Sequence, residues 1–124
     1  MDNVYSSPLI EITYEMLVRY AGASGDFNPI HTVETKAVDA GLPDVIAHGM
    51  LIMGITSKFI RSWFPNKKFL NFNVRFVDMT LRGEKIKIVG KIQAQNDQER
   101  IKVDVVVINE KGDKKMKGYC ELKY

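Results

Sequence analysis

The stretch that decides the fold is GMLIMGITSKFIRSWF, residues 49–64, which has the length of a helix and is apolar on more than one side at its start. A surface helix carries its apolar residues in a single stripe, so a helix with this broader pattern must be buried. Pro65 and Asn66 then break the pattern. The sequence therefore predicts a buried helix over residues 49–64.

On the C-terminal side of this helix, apolar and polar residues alternate with a period of two, which is typical of strands with one buried face. Two of the connections, Asn96-Asp97 and Lys111-Gly112-Asp113, are short turn sequences. The pattern predicts a meander of four antiparallel strands. The residues expected on the buried face are, strand by strand, Leu70, Phe72, Val74 and Phe76; Ile86, Ile88 and Ile92; Ile101, Val103, Val105 and Val107; and Met116, Cys120, Leu122 and Tyr124.

On the N-terminal side, the sequence predicts two shorter helices. Thr13 is a good N-cap for the first, because apolar residues recur at helical spacing after it, and Gly22 is expected to end this helix. Thr32 is expected to cap a second helix over residues 34–40, which a glycine ends. Small and turn-forming residues at 23–29 predict a loop between the two helices.

These elements together predict an α+β domain. A buried helix is followed by an antiparallel sheet, and an N-terminal strand around residues 9–12 is available to join that sheet. This is the outline of a hot-dog fold, in which an antiparallel sheet wraps round a central buried helix. A chain of 124 residues fits one domain, over residues 1–124, since domains usually have about 150 residues.

Composition and charge limit the classes of function that this chain can have. One cysteine, Cys120, allows no internal disulfide, and no secretory signal or membrane span is seen, so we expect a cytoplasmic protein that does not bind membranes. No nucleic-acid-binding motif is present either. The net charge of +3 divides into −3 over residues 1–62 and +6 over residues 63–124. The excess lysines favour a solvated sheet face, with an acidic carrier or a phosphate-bearing substrate as the other interpretation.

Few side chains can carry chemistry. The chain has two histidines, His31 and His48, and lacks a Gly-x-Ser-x-Gly elbow, a phosphate loop and a dinucleotide fingerprint. Cys120 is expected on the apolar side of a strand, which disfavours a role as nucleophile. A zinc site from Asp26, His31 and His48 is conceivable but lacks the close histidine pairing of known zinc motifs, so we expect no metal.

The segment YAGASGDFNPIH, residues 20–31, is the first candidate site. Asp26 and His31 lie five residues apart in a loop that Pro29 stiffens, so their side chains can converge and share a water molecule. Asn28 lies between them and can hold the turn through local hydrogen bonds. The same string also forms ordinary Asx turns, in which His31 would be incidentally exposed.

The second candidate segment is Ala47-His48-Gly49-Met50, at the start of the buried helix. A helix N-terminus has free backbone N–H groups and a partial positive charge, and a glycine there lets a substrate oxygen come close. This pattern favours an oxyanion site at Gly49. In the alternative interpretation, Gly49 only permits a tight start to the helix, and His48 caps it or packs.

Together the two segments resemble the MaoC-like hydratases, which include the (R)-specific enoyl-CoA hydratases and related (3R)-hydroxyacyl-thioester dehydratases. The likeness rests on Asp-x-Asn-Pro-aliphatic-His followed by Ala-His-Gly-Met before an apolar helix, and it runs from about Tyr14 to Arg75. The resemblance implies that Asp26 and His31 are the catalytic pair, and that the Gly49 amide stabilises the thioester oxygen. It carries His48 over only as part of the helix start.

The resemblance implies a lyase of fatty-acid metabolism that hydrates 2-enoyl thioesters or dehydrates (3R)-hydroxyacyl thioesters, linked to coenzyme A or acyl carrier protein. It implies no metal or redox cofactor, and a homodimer or an assembly with another hot-dog chain. Two alternatives remain open. A hot-dog thioesterase usually has a carboxylate on or beside the central helix, and residues 50–57 contain none. A non-catalytic acyl-thioester-binding or regulatory subunit would need no intact Asp26 and His31 pair.

Overall fold

The computed structural model describes residues 3–96 and 100–123. Its elements, in chain order, are strands β1 (Val4–Ser6) and β2 (Ile10–Glu11), helix α1 (Tyr14–Ser24), a 3₁₀ turn (Pro29–His31), helices α2 (Glu34–Asp39) and α3 (Gly49–Trp63), and strands β3 (Lys68–Phe76), β4 (Lys85–Asn96), β5 (Arg100–Asn109) and β6 (Lys114–Lys123). None of the helices within these ranges is long and apolar enough to cross a membrane.

The strands form one antiparallel sheet with the order β1-β4-β5-β6-β3, and β2 also pairs with β4. The predicted hairpins β4-β5 and β5-β6 are confirmed, although Asp97 of the first predicted turn lies outside the described residues. The predicted meander is wrong for β3, which pairs with β6 instead of β4. The reason is that the β3-β4 connection forms no hairpin and is bonded to the segment before α3, where the Ala47 N–H donates to the Thr80 carbonyl at 2.8 Å.

Helix α3 is the centre of the core, as its apolar pattern predicts. Its buried residues are Ile52, Thr56 and Ile60, and the sheet residues Ile88 and Val103 belong to the same buried cluster as the two isoleucines. Ile60 is fully buried, and burying an isoleucine side chain stabilises a fold by about 1.5–3 kcal/mol. The predicted arrangement of a sheet round a central helix is therefore confirmed.

The predicted end of α1 is wrong by three residues. The helix continues through Gly22 to Ser24, and Gly25 ends it in the left-handed conformation with φ of 77°. The N–H of Gly25 donates to the Ala21 carbonyl at 3.0 Å, which closes the last turn. A glycine inside a helix costs only about 1 kcal/mol, so Gly22 is tolerated there. The predicted cap by Thr13 is confirmed, since its hydroxyl accepts from Met16 N–H at 3.2 Å.

Two further sequence expectations are corrected. The N-cap of α2 is Val33, which makes no side-chain cap bond, while the predicted cap, Thr32, ends the preceding 3₁₀ turn. In β3, the pairing register shifts between Phe69 and Asn71, so the predicted alternation fails at that end. As a result Phe69 packs on the core and Leu70, which was expected to be buried, is exposed. Phe76, at the other end of β3, was also expected to be buried and is exposed.

Gly118 allows β6 and β3 to approach closely, and its replacement by alanine is expected to destabilise the fold. A Cβ at this position would overlap the Asn73 carbonyl oxygen and lie 2.7 Å from the Val74 Cα, both in the backbone of β3. Forced overpacking typically costs about 1–3 kcal/mol, so Gly118→Ala should lower the free energy of unfolding by at least that amount in urea titration. Gly54→Ala is the control, because Gly54 has open space round it in α3. Equal stability of the two variants would contradict this account of the sheet.

Candidate active site

Local hydrogen bonds shape the loop between α1 and the 3₁₀ turn. The Asn28 N–H donates to Asp26 Oδ1 at 3.2 Å, and the Ile30 N–H donates to Asn28 Oδ1 at 3.2 Å. Pro29 opens the 3₁₀ turn, which ends at His31. Asn28 thus connects the segment that carries Asp26 to the turn that carries His31, as its position between them predicts.

The structure brings Asp26 and His31 together. Asp26 Oδ2 lies 3.9 Å from His31 Nε2, too far for a direct hydrogen bond and close enough for one water molecule to contact both atoms. The His31 Nδ1 lies 2.7 Å from the Ile46 carbonyl, which can only accept, so Nδ1 carries the proton. Nε2 is therefore the ring nitrogen that is left to exchange a proton on the side of Asp26.

The two side chains have different environments. The Asp26 side chain is 52% exposed and the His31 side chain 10% exposed. The alternative interpretation is therefore right about the Asx turns, which form at Asp26 and Asn28, and wrong about His31, which is buried. One partner of the pair is open to water, and the other is anchored in the interior.

The sequence reasoning gave His48 no role beyond the start of the helix, yet the structure puts it against both members of the pair. His48 is 2% exposed, and its ring stacks on the His31 ring with centroids 3.7 Å apart. Its Nε2 lies 3.2 Å from the Asp26 main-chain carbonyl and must donate a proton there. Tyr20 contacts the other side of the cluster, with its ring edge-on to His48 at 4.8 Å. Burial lowers the pKa of His48, and the neighbouring His31 lowers it further, against the raising effect of the bond to Asp26.

One possible metal-ligand atom from each of Asp26, His31 and His48 lies within 4.8 Å of the others. A zinc ion bound by histidine lies in the plane of the ring, about 2.0–2.1 Å from the nitrogen. The two rings here are stacked only 21° from parallel, so one ion cannot lie in both planes at that distance. Chelation by both histidines would need one ring to rotate, and the absence of a metal stays a prediction.

Gly49 is the first residue of α3, where no carbonyl within the helix can accept its N–H. Gly49 and His31 line the same cavity, of about 370 Å³. The Phe76 ring closes over the glycine, and a Cβ at position 49 would lie 3.0 Å from it. The free N–H predicted at the helix start therefore lies beside the cavity that His31 also reaches.

Charged residues also line this cavity. Its lining includes Asp78 and Lys115, whose charged groups are 3.5 Å apart. Lys115 is 6% exposed, contacts Glu84 at 3.0 Å and donates to the Met79 carbonyl at 2.8 Å. Although burial raises the pKa of Glu84, hydrogen bonds from Asn109, the Leu81 N–H and Lys115 hold that pKa below its usual value. This side of the cavity is therefore a fixed, ion-paired wall.

Hydrogen bonds and ion pairs connect the segment before α3 to the neighbouring elements, and these contacts hold the site in place. The Ile46 N–H donates to the Ile30 carbonyl at 3.2 Å, next to the residue that carries the His31 ring. Arg82 donates to Asp44 at 2.8 Å and contacts Glu34 of α2 at 3.3 Å. The hydrogen bond from Arg82 holds the pKa of Asp44 below its usual value.

A family model described as "MaoC like domain" matches residues 2–113, which is nearly the whole chain. The chain belongs to the MaoC-like domain family. The motifs at residues 26–31 and 47–50, which carry the resemblance, both lie within the match.

Three known proteins show what this MaoC-like domain is similar to. It is 38% identical over 73 residues, 59% of its length, to "3-hydroxyacyl-thioester dehydratase X" of Mycobacterium tuberculosis, of which it spans only a quarter. It matches the solved structure of the (R)-hydratase PhaJ1 of Pseudomonas aeruginosa with a TM-score of 0.87 and 26% identity, over 96% of this chain and 76% of that one. It also shares its fold with a chain of the ChsH1-ChsH2 complex of M. tuberculosis, with a TM-score of 0.86 and 23% identity, over 96% and 94% of the two chains.

The single cysteine of this MaoC-like domain takes no part in the site. Cys120 is fully buried in β6, and burial raises the pKa of its thiol to about 12. A thiol that ionises so reluctantly is a poor nucleophile at neutral pH. The expectation that Cys120 is a core residue is therefore confirmed.

Proposed function

We propose that this MaoC-like domain is a lyase that adds water to 2-enoyl thioesters, or removes it from (3R)-hydroxyacyl thioesters. The observation that carries the proposal is the separation of 3.9 Å between Asp26 Oδ2 and His31 Nε2, beside the cavity that the first N–H of a buried helix also borders. Hydration needs a base for water, a proton source for C2 and a donor for the carbonyl oxygen. Asp26, His31 and Gly49 offer these three groups within one small volume.

In the hydration direction, a water molecule held between Asp26 and His31 loses one proton to the pair as its oxygen bonds to C3. The electron pair of the C2–C3 double bond moves towards the thioester, whose oxygen becomes an enolate oxygen. The enolate then takes a proton from the pair at C2, which restores the carbonyl. Overall one O–H bond of water and one carbon–carbon π bond are replaced by a C–O and a C–H bond. General acid–base catalysis of this kind is worth about 10²–10⁴-fold.

The developing charge on the thioester oxygen needs a fixed donor. The N–H of Gly49 is free of the helix hydrogen bonds, and the helix dipole makes its surroundings partially positive. A donor that is already oriented loses nothing in reorganisation when the enolate forms, and one such donor is worth about 10²–10³-fold. We assign Gly49 this role and Asn28 the support of the loop.

The acyl group and its carrier are part of the same proposal. The name of the mycobacterial dehydratase favours a hydroxyacyl thioester as substrate, as in fatty-acid metabolism, and the name of the Pseudomonas R-hydratase favours the (R) configuration. Coenzyme A and acyl carrier protein both present a thioester and stay open as carriers. A reducing, cytoplasmic setting fits the free buried thiol of Cys120.

An assay of the pure protein on crotonyl-CoA tests the function. Loss of the enoyl absorbance together with formation of (3R)-hydroxybutyryl-CoA is the expected result. Release of free coenzyme A would instead identify a thioesterase. Binding without any change in the substrate would identify a non-catalytic acyl-thioester-binding subunit. The last two results would both overturn the proposal.

The first prediction from this mechanism concerns the pair itself. Asp26→Asn and His31→Ala should each lower kcat by at least about 10²-fold, because proton transfer is lost. Turnover on crotonyl-CoA measures the effect, and circular dichroism checks that the fold is intact. Asp39→Asn, at an exposed position of α2, is the matched control and should leave kcat unchanged. Near-normal turnover in either variant of the pair would refute the assignment.

The second prediction concerns Gly49. Gly49→Val should lower kcat/KM by about 10²-fold, because the new side chain displaces Phe76 and disturbs the approach of the thioester oxygen to the N–H. Gly54→Val is the matched control in the same helix, at an exposed position with open space round it. If both variants fold and lose activity equally, the loss comes from the helix and the oxyanion role of Gly49 is wrong.

We also propose that this chain pairs with a second hot-dog chain, either a copy of itself or a different chain. Strand β3 pairs with β6 on one side only, and Leu70, Phe76 and Val77 on or beside it are exposed apolar residues. Phe69, in the same strand, packs on the core and does not belong to this surface. An unprotected edge of this kind favours association, and a chain of similar fold is part of the ChsH1-ChsH2 complex. Light scattering should give at least a dimer at micromolar concentration, and a stable 14.1 kDa monomer would contradict self-pairing.

A further inference from the structure

His48 is the residue in the site whose contacts the mechanism leaves unused. Its Nε2–H donates to the Asp26 carbonyl at 3.2 Å, and its ring lies face to face with the His31 ring at 3.7 Å. Its Nδ1 is the one buried side-chain nitrogen or oxygen among the described residues that has no hydrogen-bond partner. His48 also directly precedes α3, so it joins the pair to the helix start at Gly49.

We propose that His48 is a positioning residue that stays uncharged through the reaction, so that His31 is the only imidazole that exchanges protons with the reacting water. This inference rests on the proposed function, because it assigns the proton to one of two stacked rings in the same site.

Three features keep His48 neutral. Its ring is 2% exposed, and a buried charge without a partner is costly. Its neutral form already satisfies the contact at Nε2, and the second proton would have to go on Nδ1, which faces no acceptor among the described residues. The ring also stacks on His31, and two imidazolium rings at 3.7 Å would repel each other.

The other charged groups near the rings favour His31 as the proton carrier. The Asp26 carboxylate lies on the side of His31, with its Oδ2 3.9 Å from His31 Nε2, so one water molecule can bridge the two atoms. The main-chain carbonyl of Asp26 accepts from His48, while an oxygen of its carboxylate lies within 4.8 Å of a His48 nitrogen. Burial lowers the pKa of His48, and this outweighs the raising effect of the Asp26 carboxylate. Tyr20 of α1 meets His48 with its ring. Asp78 and Lys115, which line the cavity beside His31, are paired with each other.

The same contacts fix the geometry of the pair. The bond from His48 holds the backbone of Asp26, and the stack limits rotation of the His31 ring, whose other anchor is the 2.7 Å bond to Ile46. Without His48, both the carboxylate and the imidazole could shift relative to Gly49. Misplacement by about 1 Å can cost a reaction roughly 10²-fold in rate. His48 therefore acts through the residues that it holds.

Nitrogen NMR of the ¹⁵N-histidine-labelled chain tests the charge assignment directly, because the chain has only two histidines. The ring shifts report the tautomer and the protonation of each ring, and His48→Phe leaves the His31 signals alone for assignment. We expect His48 to keep its neutral Nε2–H form at every pH at which the chain is folded and active. Protonation of His48 within that range would overturn the proposal. The measurement needs no activity, so it stays informative even if crotonyl-CoA is not turned over.

Kinetics on crotonyl-CoA separate positioning from proton transfer. His48→Phe keeps a ring on His31 and loses the donor to Asp26, while His48→Gln keeps an N–H donor and loses the ring. Each should lower kcat by roughly tenfold with KM within about twofold, and each should keep both limbs of the pH profile. Phe64→Leu, a core change at the other end of α3, is the control for general destabilisation and should leave kcat unchanged. Loss of one limb in the His48 variants would make His48 a proton carrier, and an unchanged kcat would remove its positioning role; either result overturns the proposal.

Discussion

The burial of helix α3 against the sheet is the constraint on which the rest of the structure depends. Its residues Ile52 and Ile60 belong to the core, and its first residue is Gly49, beside the cavity. Once the helix is fixed, its N-terminus is fixed, and with it the free N–H of Gly49 beside the cavity that His31 also lines. The core and the site are therefore linked through one element. A change in the packing of the first turn of α3, for example at Ile52, would move the N–H of Gly49 relative to Asp26 and His31 without altering any of these three residues.

The spacing of apolar residues predicted most of the fold, because in α3 and in β4 to β6 the residues of the buried face recur at the helical or strand period. The partner of β3 could not be predicted in this way. Its pairing with β6 depends on how residues 77–84 bond to the segment before α3, for example through Ala47 and Thr80, which are 33 positions apart. The end of α1 failed for a different reason. Gly22 and Gly25 look equally able to stop a helix, and only the left-handed backbone at Gly25 shows which one does.

The candidate site, like the fold, could be predicted from the sequence only in part. The convergence of Asp26 and His31 could be predicted, since both lie in one short loop that Pro29 and Asn28 shape locally. The tautomer of His31 could not, because it depends on the carbonyl of Ile46, 15 residues away. The stacking of His48 on His31 could not be predicted either, because the fold brings residues 31 and 48 together and no sequence pattern indicates that contact. The alternative that His48 packs was among the sequence interpretations, but what it packs against needed the structure.

In the proposed reaction, the unequal exposure of Asp26 and His31 has a chemical consequence. The half-exposed carboxylate lets water reach the pair from solvent, while the buried imidazole borders the cavity that would receive the acyl thioester. Water and substrate would then approach the same two atoms from different sides and need not compete for one path. Such an arrangement requires that the buried side hold no surplus charge, because an unpaired cation beside an apolar acyl chain would draw water into the cavity. Lys115 in the cavity lining is already paired with Asp78 and Glu84, and a neutral His48, stacked on His31, adds no charge behind the ring that borders the cavity.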